Sequence, residues 1–428
     1  MSKMRVSVRP APRKNIAQVQ KQLNQLQQAF RVHMAEKNYL AALKDAKAAH
    51  RLIPTEIQPL SDGATAAIYA NLFDDAIELA QKVIAKNPNH INALDALSHA
   101  YGHLLQWEKC AIYGKKALTL RDAKITDNPD LPTLSENASG KKIIAFSLFG
   151  NSAFYLESAK INAEIVHDVY GQDWTCRFYI DDSVPEHFIQ YVKNLHAEVV
   201  LVNEQQKNYP GTMWRFLAID DPDVAYVCFR DADSVISYRE AKAVHEWIAS
   251  SAYFHTLRDA GSHTELILAG LWGARGQAIP NMEEKIQSYC QNTALHQRFA
   301  DQYFLRDCVW AYVRQNLYAS DRIFAFGDTH PFDDEYFDYK TNHIGCAETQ
   351  AQFHIPVSLP EDTVVFWTLH TRIAPLLKPN GDWHILDEER IVCTYPTTVK
   401  EGRIHGNIPR RYARGINKGY ARITFQNS

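Results

Sequence analysis

The sequence lacks the features that mark several protein classes. Its seven cysteines are scattered without a Cys-x-x-Cys pair, a spacing that fits neither a disulfide framework nor a zinc site. No apolar run approaches the ~20 residues that span a bilayer, and no secretory-type apolar stretch of ~7–15 residues follows the basic N terminus. The excess of 49 acidic over 46 basic side chains leaves a formal net charge of −3, which argues against nucleic-acid binding. We therefore expect a cytoplasmic protein with reduced thiols and at most peripheral membrane contact.

What is present is a long chain of ordinary globular composition. The 428 residues suggest two to four domains. With 46% hydrophobic and 22% charged residues, the chain has the composition of a typical folded protein. It is long enough to bury a core without disulfides or metals. Composition alone indicates no function.

The first quarter of the chain is helical in pattern and repeats. Ala, Leu, Gln, Lys and Glu dominate from Ala17 to Arg121, with apolar residues three and four apart. Pro54, Pro88 and Asp122 follow one another at intervals of 34 residues, each closing a similar stretch: ALKDAKAAHRLIP, AIELAQKVIAKNP and AIYGKKALTLRD. Small residues keep the same register, as in Ala42, Ala76 and Cys110, and in Ala46, Ala80 and Gly114. Small side chains let paired helices approach closely.

This period of 34 resembles tetratricopeptide (TPR) repeats. The resemblance implies stacked helix pairs with a concave surface that binds a peptide or protein partner. The alternative is a plain bundle of helical hairpins packed on the next domain.

The pattern changes after a segment rich in Asp, Pro, Ser and Asn. Short apolar runs now alternate with amphipathic helical stretches: Ile143 to Phe149, Arg177 to Ile180, Glu198 to Val202 and Ala225 to Phe229. Such alternation predicts an α/β domain with a Rossmann-like, mostly parallel sheet. The expected organisation is a basic, flexible N terminus (1–14), helical repeats (15–122), a linker (123–140), the α/β domain (141–358) and a C-terminal extension with a basic tail (359–428).

Two carboxylates follow the fourth of these strand patterns. Asp231 and Asp233 come directly after Ala225 to Arg230, and ligands of parallel sheets gather at the carboxyl ends of strands. Oxygen ligands suit Mg²⁺ or Mn²⁺, which can also bind the oxygens of a diphosphate. A lone Asp-x-Asp is weak evidence, but its position at a sheet edge strengthens it.

Several motifs together resemble a GT-A glycosyltransferase domain. They are IAFSLFG, the Tyr-Ile-Asp-Asp edge, MWRF at Met213 to Phe216, FRDADS, Gly270-Leu271-Trp272-Gly273, Asp301-Gln302 and His343-Ile344-Gly345. The resemblance covers about half the chain, from Lys141 to about Pro360. It implies an enzyme that transfers a sugar from a nucleotide-sugar donor, with a divalent metal held by the Asp-x-Asp motif. The KPW sequence that follows the late His-Ile-Gly in some subfamilies is missing.

The resemblance also implies roles for individual residues. Asp231 and Asp233 would bind Mn²⁺ or Mg²⁺, with His343 as third ligand and His330 as its competitor. The donor, expected to be a UDP-sugar, would contact Ser147, Phe149, Gly150, Asp181, Asp182, Arg215, Arg230 and Asp231. The acceptor, a glycan, lipid-linked glycan or protein, would contact Arg258, Gly270 and Trp272. Asp301, and after it Asp259, is the candidate base for an inverting reaction.

Each assignment has a structural alternative. Arg230 could pair with a neighbouring aspartate, Trp272 could belong to the core, and Asp181 or Asp182 could cap the following helix. The basic tail, Lys400 to Arg422, is either a solvated face or disordered tail, or a closing flap whose arginines meet the diphosphate, an acidic acceptor or a membrane surface. At the level of function, the alternatives are another metal-dependent nucleotide enzyme, such as a nucleotidyltransferase, or a TPR scaffold with an inactive sugar-nucleotide domain.

Overall fold

The structure is a computed structural model that describes residues 16–135, 139–295, 299–332, 343–346, 351–378 and 381–427. The chain splits into two compact units between Leu120 and Arg121. The expectation for residues 1–14 lies outside the described residues. Among the described residues, no helix combines the length and the apolar character needed to cross a membrane.

The first unit consists of helices that pack against one another in sequence order. They are α1 (Ile16–Ala35), α2 (Tyr39–Leu52), α3 (Gln58–Tyr69), α4 (Phe73–Lys86), α5 (Ile91–His103) and α6 (Trp107–Asp122). The small residues in register, such as Ala42, Ala76 and Cys110, are all fully buried. The expected N-terminal helical repeats are therefore present.

The turn inside each helix pair repeats as well. Lys37, Asn71 and Leu105 all adopt the left-handed conformation, with φ of 60°, 58° and 57°. They lie at the same repeat position, between α1 and α2, α3 and α4, and α5 and α6. Non-glycine residues are uncommon in the left-handed region. The three residues therefore indicate that the same turn conformation occurs three times in the described repeats. No glycine in the sequence signals these turns.

The second unit is built around a mixed sheet with helices between most of its strands. The strands are β1 (Lys141–Leu148), β2 (Trp174–Ile180), β3 (Glu198–Leu201), β4 (Val224–Phe229), β5 (Phe254–Arg258), β6 (Trp272–Arg275), β7 (Leu317–Asp321) and β8 (Thr329–His330). The helices are α7 (Ala153–Tyr170), α8 (Glu186–Asn194), α9 (Tyr238–Ala249), α10 (Met282–Asn292), α11 (Ala300–Phe304) and α12 (Trp310–Val313). A 3₁₀ segment, Gly211–Asp220, precedes β4.

The strand order within the described residues is β3-β2-β1-β4-β6-β5-β7-β8. Neighbouring strands are parallel except for β6, which runs antiparallel to both β4 and β5. The expected mostly parallel sheet is confirmed, although the sequence did not indicate the reversed β6. Because β1 lies between β2 and β4, the order reverses at β1, and the crevice at the carboxyl ends of β1 and β4 is where ligands of such sheets bind.

The C-terminal strands share the core of this unit. Strand β9 (Ala351–Pro356) pairs with β12 (Arg403–Ile408), while β10 (Val364–Ile373), β11 (Ile385–Thr398) and β13 (Ala421–Asn427) form a sheet in the order β11-β10-β13. Trp367 and Tyr412 belong to the same apolar cluster as Leu156 of α7. Helix α13 (Arg410–Asn417) precedes β13. The expected boundary between residues 358 and 359 thus separates strands that pair with each other.

Candidate functional site

A pocket of about 430 Å³ opens at the carboxyl ends of β1 and β4. Its walls come from the ends of these strands, the 3₁₀ segment, the loop before β6 and helix α11. The lining residues are Ser147, Leu148, Phe149, Tyr155, Thr212, Arg215, Asp231, Ala232, Asp233, His263, Leu268, Ala269, Gly270, Leu271, Phe299, Asp301, Gln302 and Gly345. Segments far apart in sequence thus meet at the switch point of the sheet.

Asp231 and Asp233 both face this pocket, and their surroundings suit a divalent cation. Burial, and then the negative charge of Asp231, raises the pKa of Asp233 to about 7. A Cβ atom on Gly270 would overlap the Asp231 carboxylate, so the glycine provides the space that this carboxylate occupies. Two neighbouring carboxylates that line an open pocket are a set of oxygen ligands that fits Mn²⁺ or Mg²⁺.

Arg215 connects two acidic side chains of the pocket, Asp231 and Asp301. Its guanidinium lies 2.6 Å from Asp231 Oδ1 and 3.1 Å from Asp301 Oδ2, and it also donates to the Arg230 carbonyl at 2.9 Å. Its backbone N–H donates to Ser147 Oγ at 2.9 Å, which ties the MWRF segment to the end of β1. The side chain is 2% exposed. Arg215 therefore holds pocket carboxylates in place, whereas the sequence predicted a contact with phosphates.

The end of β1 offers an exposed aromatic ring. Phe149 is 45% exposed and meets Trp214 edge to face at 5.7 Å between ring centroids. Its ring also covers Gly211, where a Cβ would come within 2.6 Å of it. The exposed ring lines the pocket. Such a ring can stack against a planar base.

Three of the predicted donor contacts lie beside the pocket rather than in its lining. The Gly150 N–H donates to Ser183 Oγ at 2.6 Å, and the Ser183 N–H donates to Asp181 Oδ1 at 3.0 Å. Asp182 pairs with Lys207 at 2.5 Å. Asp181 thus stabilises the loop after β2.

Arg230 is buried and is not part of the pocket lining, whereas the sequence predicted a contact with the donor. It is 1% exposed and pairs with Glu240 of α9 at 3.3 Å. It also donates to the carbonyls of Phe229 and Trp272. The alternative was an ion pair with a neighbouring aspartate; Arg230 does form an ion pair, but its partner is Glu240.

Arg258 and Trp272 are also enclosed, so the predicted acceptor contacts reduce to Gly270. Trp272 is fully buried, stacked on Phe229 with 4.2 Å between ring centroids. The reason is the reversed strand β6, whose register places Trp272 opposite Phe229 on β4. Arg258 is 1% exposed and donates to the carbonyls of Glu265 and Leu266, which fixes the loop before β6.

The two candidate bases have different environments. Asp301 lines the pocket, and burial raises its pKa although the Arg215 charge opposes the shift. The Asp259 side chain is completely buried, pairs with Arg239 and accepts the Ile344 N–H at 3.0 Å. Of the two, Asp301 is the one whose carboxyl group borders the space where an acceptor would lie.

His343 lies with Asp259 rather than with the Asp231–Asp233 pair. In the part of the chain that the structure describes, the metal-binding side chains that form a set of three, with ligand atoms within 4.8 Å of one another, are Asp259, His263 and His343. His263 Nδ1 is already occupied, because the Asp259 and Ala260 N–H groups donate to it at 3.2 and 3.3 Å. Asp259 pairs with Arg239 and is fully buried, whereas Asp231, which pairs with Arg215, is 48% exposed. This cluster therefore behaves as an internal polar network.

The imidazole that reaches the pocket is that of His263. His343 Nδ1 bonds to the Ile344 carbonyl at 2.8 Å. Burial opposes protonation of His343, but its hydrogen bond to Cys346 and the charges of Cys346 and Asp259 outweigh burial and raise its pKa to about 9. The competitor His330 stacks on Tyr318, at 3.9 Å between ring centroids, on strand β8 at the far edge of the sheet.

Sequence reasoning missed Thr212, His263 and Gln302 as pocket residues. The Gln302 side chain accepts the Ala269 N–H at 3.2 Å and donates to the Ile267 carbonyl, so it holds the loop that carries Gly270. Gln302 directly follows the candidate base Asp301, and this position could have identified it as a pocket residue. Thr212 precedes the MWRF motif directly, which could have identified it.

Comparisons with known proteins give partial structural likenesses. No family model and no curated protein matches the chain. Among solved structures, the Arabidopsis OM64 TPR domain is 15% identical, covers 24% of this chain and 87% of that chain, and has a TM-score of 0.24. The TPR2B domain of yeast Sti1, solved in complex with pHsp70, is 19% identical over 24% of this chain and 83% of that chain, with a TM-score of 0.23.

A longer likeness is to a mutant of the Thermobaculum terrenum O-GlcNAc transferase. It covers 43% of this chain and 42% of that chain at 13% identity, with a TM-score of 0.25. At such scores none of these likenesses assigns this chain to a family.

Proposed function

We propose that the chain is a metal-dependent glycosyltransferase of the GT-A type, with N-terminal TPR-like repeats. Its donor is a nucleotide sugar, expected to be a UDP-sugar, and its acceptor is a glycan, lipid-linked glycan or protein. The observation that carries the proposal is the meeting of Ser147, Phe149, Asp231, Asp233 and Asp301 around one pocket at the switch point of the sheet.

Asp231 and Asp233 are the residues that would hold Mn²⁺ or Mg²⁺. When bound, such an ion neutralises the charge that develops on a departing nucleoside diphosphate. Gly270 contributes by leaving space for the Asp231 carboxylate. Arg215 contributes by holding one oxygen of Asp231 at 2.6 Å.

The other pocket residues position substrates and move a proton. Phe149 presents an aromatic face for the base of the donor. Asp301 also lines the pocket, where its carboxylate would accept the proton of the acceptor hydroxyl in an inverting reaction. Burial raises its pKa, which makes Asp301 a stronger base than an exposed aspartate once it is ionised.

The helical repeats are proposed to bind a protein partner or a protein acceptor. Stacked helix pairs of this kind form extended concave surfaces. This part of the proposal is separate from the chemistry of the pocket, because the repeats form their own compact unit.

A panel of nucleotide sugars tests the proposal. The full-length protein is incubated with UDP-, GDP-, dTDP- and CMP-sugars in Mn²⁺ or in EDTA, and released nucleotides are identified. We expect release of a nucleoside diphosphate from a UDP-sugar in Mn²⁺, and loss of that release in EDTA and in Asp231→Asn/Asp233→Asn. Asp387→Asn, which changes an exposed carboxylate on β11, is the matched control and should keep full turnover.

Other products would identify the alternatives. Pyrophosphate formed from nucleoside triphosphates would indicate a nucleotidyltransferase. No turnover of any donor, by a folded protein that still binds a partner through its repeats, would indicate a scaffold with an inactive sugar-nucleotide domain.

A further inference from the structure

A second groove, of about 840 Å³, lies outside the pocket described above. Its walls are the segment 127–129, helix α10 and the helical segment that follows Asp301, and its lining includes Asn128, Tyr289, Asn292, Asp307 and Tyr312. We propose that this groove binds the sugar chain of an oligosaccharide acceptor that carries no acidic groups. This inference rests on the proposed glycosyl transfer, because it assigns the acceptor class of the same enzyme.

The groove is held open by specific contacts. Arg314 donates to the Ile125 carbonyl at 3.0 Å and to the Asp127 carbonyl at 2.6 Å. Gln315 donates to the Pro129 carbonyl at 2.7 Å. These contacts fix the segment after the helical repeats against the end of α12, and so they define one wall of the groove.

The lining has the mixed chemistry that suits a sugar chain. Sugars present C–H faces that pack on aromatic rings and hydroxyl groups that both donate and accept hydrogen bonds. Tyr289 and Tyr312 supply the rings, while Asn128, Asn292 and Thr293 supply amide and hydroxyl groups. Aliphatic side chains are scarce in this lining, which disfavours a lipid or an apolar helix as occupant.

The charge of the groove selects against acidic ligands. Asp127, Glu284 and Asp307 line it together with Lys285, and Arg306, which lies outside the lining, pairs with Asp307 at 2.7 Å, so three carboxylates meet two cationic groups. The Lys285 ammonium lies over the Tyr312 ring, 5.1 Å from its centroid. An excess of negative charge repels phosphate, sulfate and carboxylate groups. Neutral sugars and amino sugars remain, whereas nucleic acid and acidic glycans are disfavoured.

One helical segment connects the groove with the pocket. It begins with Asp301 and Gln302 in the pocket and ends with Tyr312 in the groove. At the α-helical rise of ~1.5 Å per residue, the six residues from Asp301 to Asp307 span at most ~9 Å along the axis, roughly the length of two sugar rings. The segment Leu305–Val309, which contains Asp307, is a π-helix, a widened turn that often occurs at functional sites. An acceptor of several residues could therefore contact both.

The test is binding of full-length protein to an immobilised panel of oligosaccharides, without donor or metal. The panel holds neutral and amino-sugar tetra- to hexasaccharides, together with sulfated and sialylated ones. Tyr289→Ala removes an aromatic ring from the groove. Ser288→Trp fills the groove from an exposed position, and it provides an independent test if Tyr289→Ala is unstable. Phe366→Ala, at a ring 42% exposed on β10, is the matched control.

We expect wild type and Phe366→Ala to bind neutral or amino-sugar oligosaccharides, and both groove variants to bind them at least ~10-fold more weakly. Hydrolysis of the nucleotide sugar should be unchanged in the groove variants. Absence of binding, preference for acidic glycans, or wild-type binding by Ser288→Trp would overturn the inference. Asp233→Asn should still bind the panel, because the groove does not depend on the proposed metal site. If the wild-type protein binds the panel but turns over no nucleotide sugar, the proposed function is contradicted and the groove assignment stands.

Discussion

Replacement of Arg215 by methionine should destabilise the sheet-containing unit strongly. The guanidinium is 2% exposed and pairs with Asp231 and Asp301, whose side chains are 48% and 10% exposed. Removing one partner of a fully buried ion pair costs ~3–5 kcal/mol. Because Asp231 is half exposed and therefore screened by water, most of the cost comes from Asp301, and we expect about 3 kcal/mol.

Urea unfolding followed by tryptophan fluorescence measures this change. Seven of the eight tryptophans lie after Arg121, so the signal reports mainly the second unit. Asp301→Asn should recover much of the lost stability in the Arg215→Met background, because the amide no longer leaves an unpaired charge in the pocket. Arg422→Met, which removes an exposed pair with Glu389, is the control and should unfold like wild type.

The reasoning would be refuted if Arg215→Met cost less than about 1 kcal/mol, the level of an exposed pair. It would equally be refuted if Asp301→Asn further destabilised the Arg215→Met protein. Either result would mean that Arg215 does not balance the charge of Asp301.

Three further predictions concern a glycine, a histidine and a leucine. Gly270→Ala should lower the Mn²⁺ affinity and the turnover rate by at least ~10-fold, because the added Cβ displaces the Asp231 carboxylate. Calorimetric titration measures the affinity, and an unchanged affinity would count against a metal at Asp231. Burial holds the pKa of His255 well below its usual 6.5, so the unfolded chain alone takes up this proton as the pH falls below 6.5. The free energy of unfolding should therefore decrease in that range, by up to ~1.4 kcal/mol per pH unit from this group. In urea titrations from pH 7 to pH 5, His255→Gln should make this decrease less steep. An equally steep decrease in the variant would mean that His255 does not cause it. Leu97→Ala, at a fully buried site of α5, should cost ~2–5 kcal/mol in urea unfolding followed by circular dichroism, and a cost near zero would contradict the packing of the repeats.

Much of the architecture could be predicted from the sequence because it depends on periodic patterns. The interval of 34 residues predicted the helix pairs, and the apolar runs predicted β1 to β4. The position of Asp231 and Asp233 at the sheet edge could be predicted because they directly follow a strand, and the end of a parallel strand does not depend on distant contacts.

What the sequence could not show depends on pairing between distant segments. Trp272 looked available for stacking, but the reversal of β6 places it opposite Phe229 in the core. Arg230 looked like a phosphate ligand, but its partner Glu240 lies on the following helix. The C-terminal strands looked like a separate extension, although Tyr395 donates to Glu157 of α7 at 2.8 Å.

The central claim is that Asp231 and Asp233 hold a metal that binds a nucleoside diphosphate. Calorimetric titration of UDP and GDP into the wild-type protein, in Mn²⁺ and in EDTA, tests it most directly. The account predicts binding in Mn²⁺ that weakens by ~10- to 100-fold in EDTA and in Asp233→Asn. Equal affinity with and without the metal, or no binding of either nucleotide by a folded protein, would contradict it.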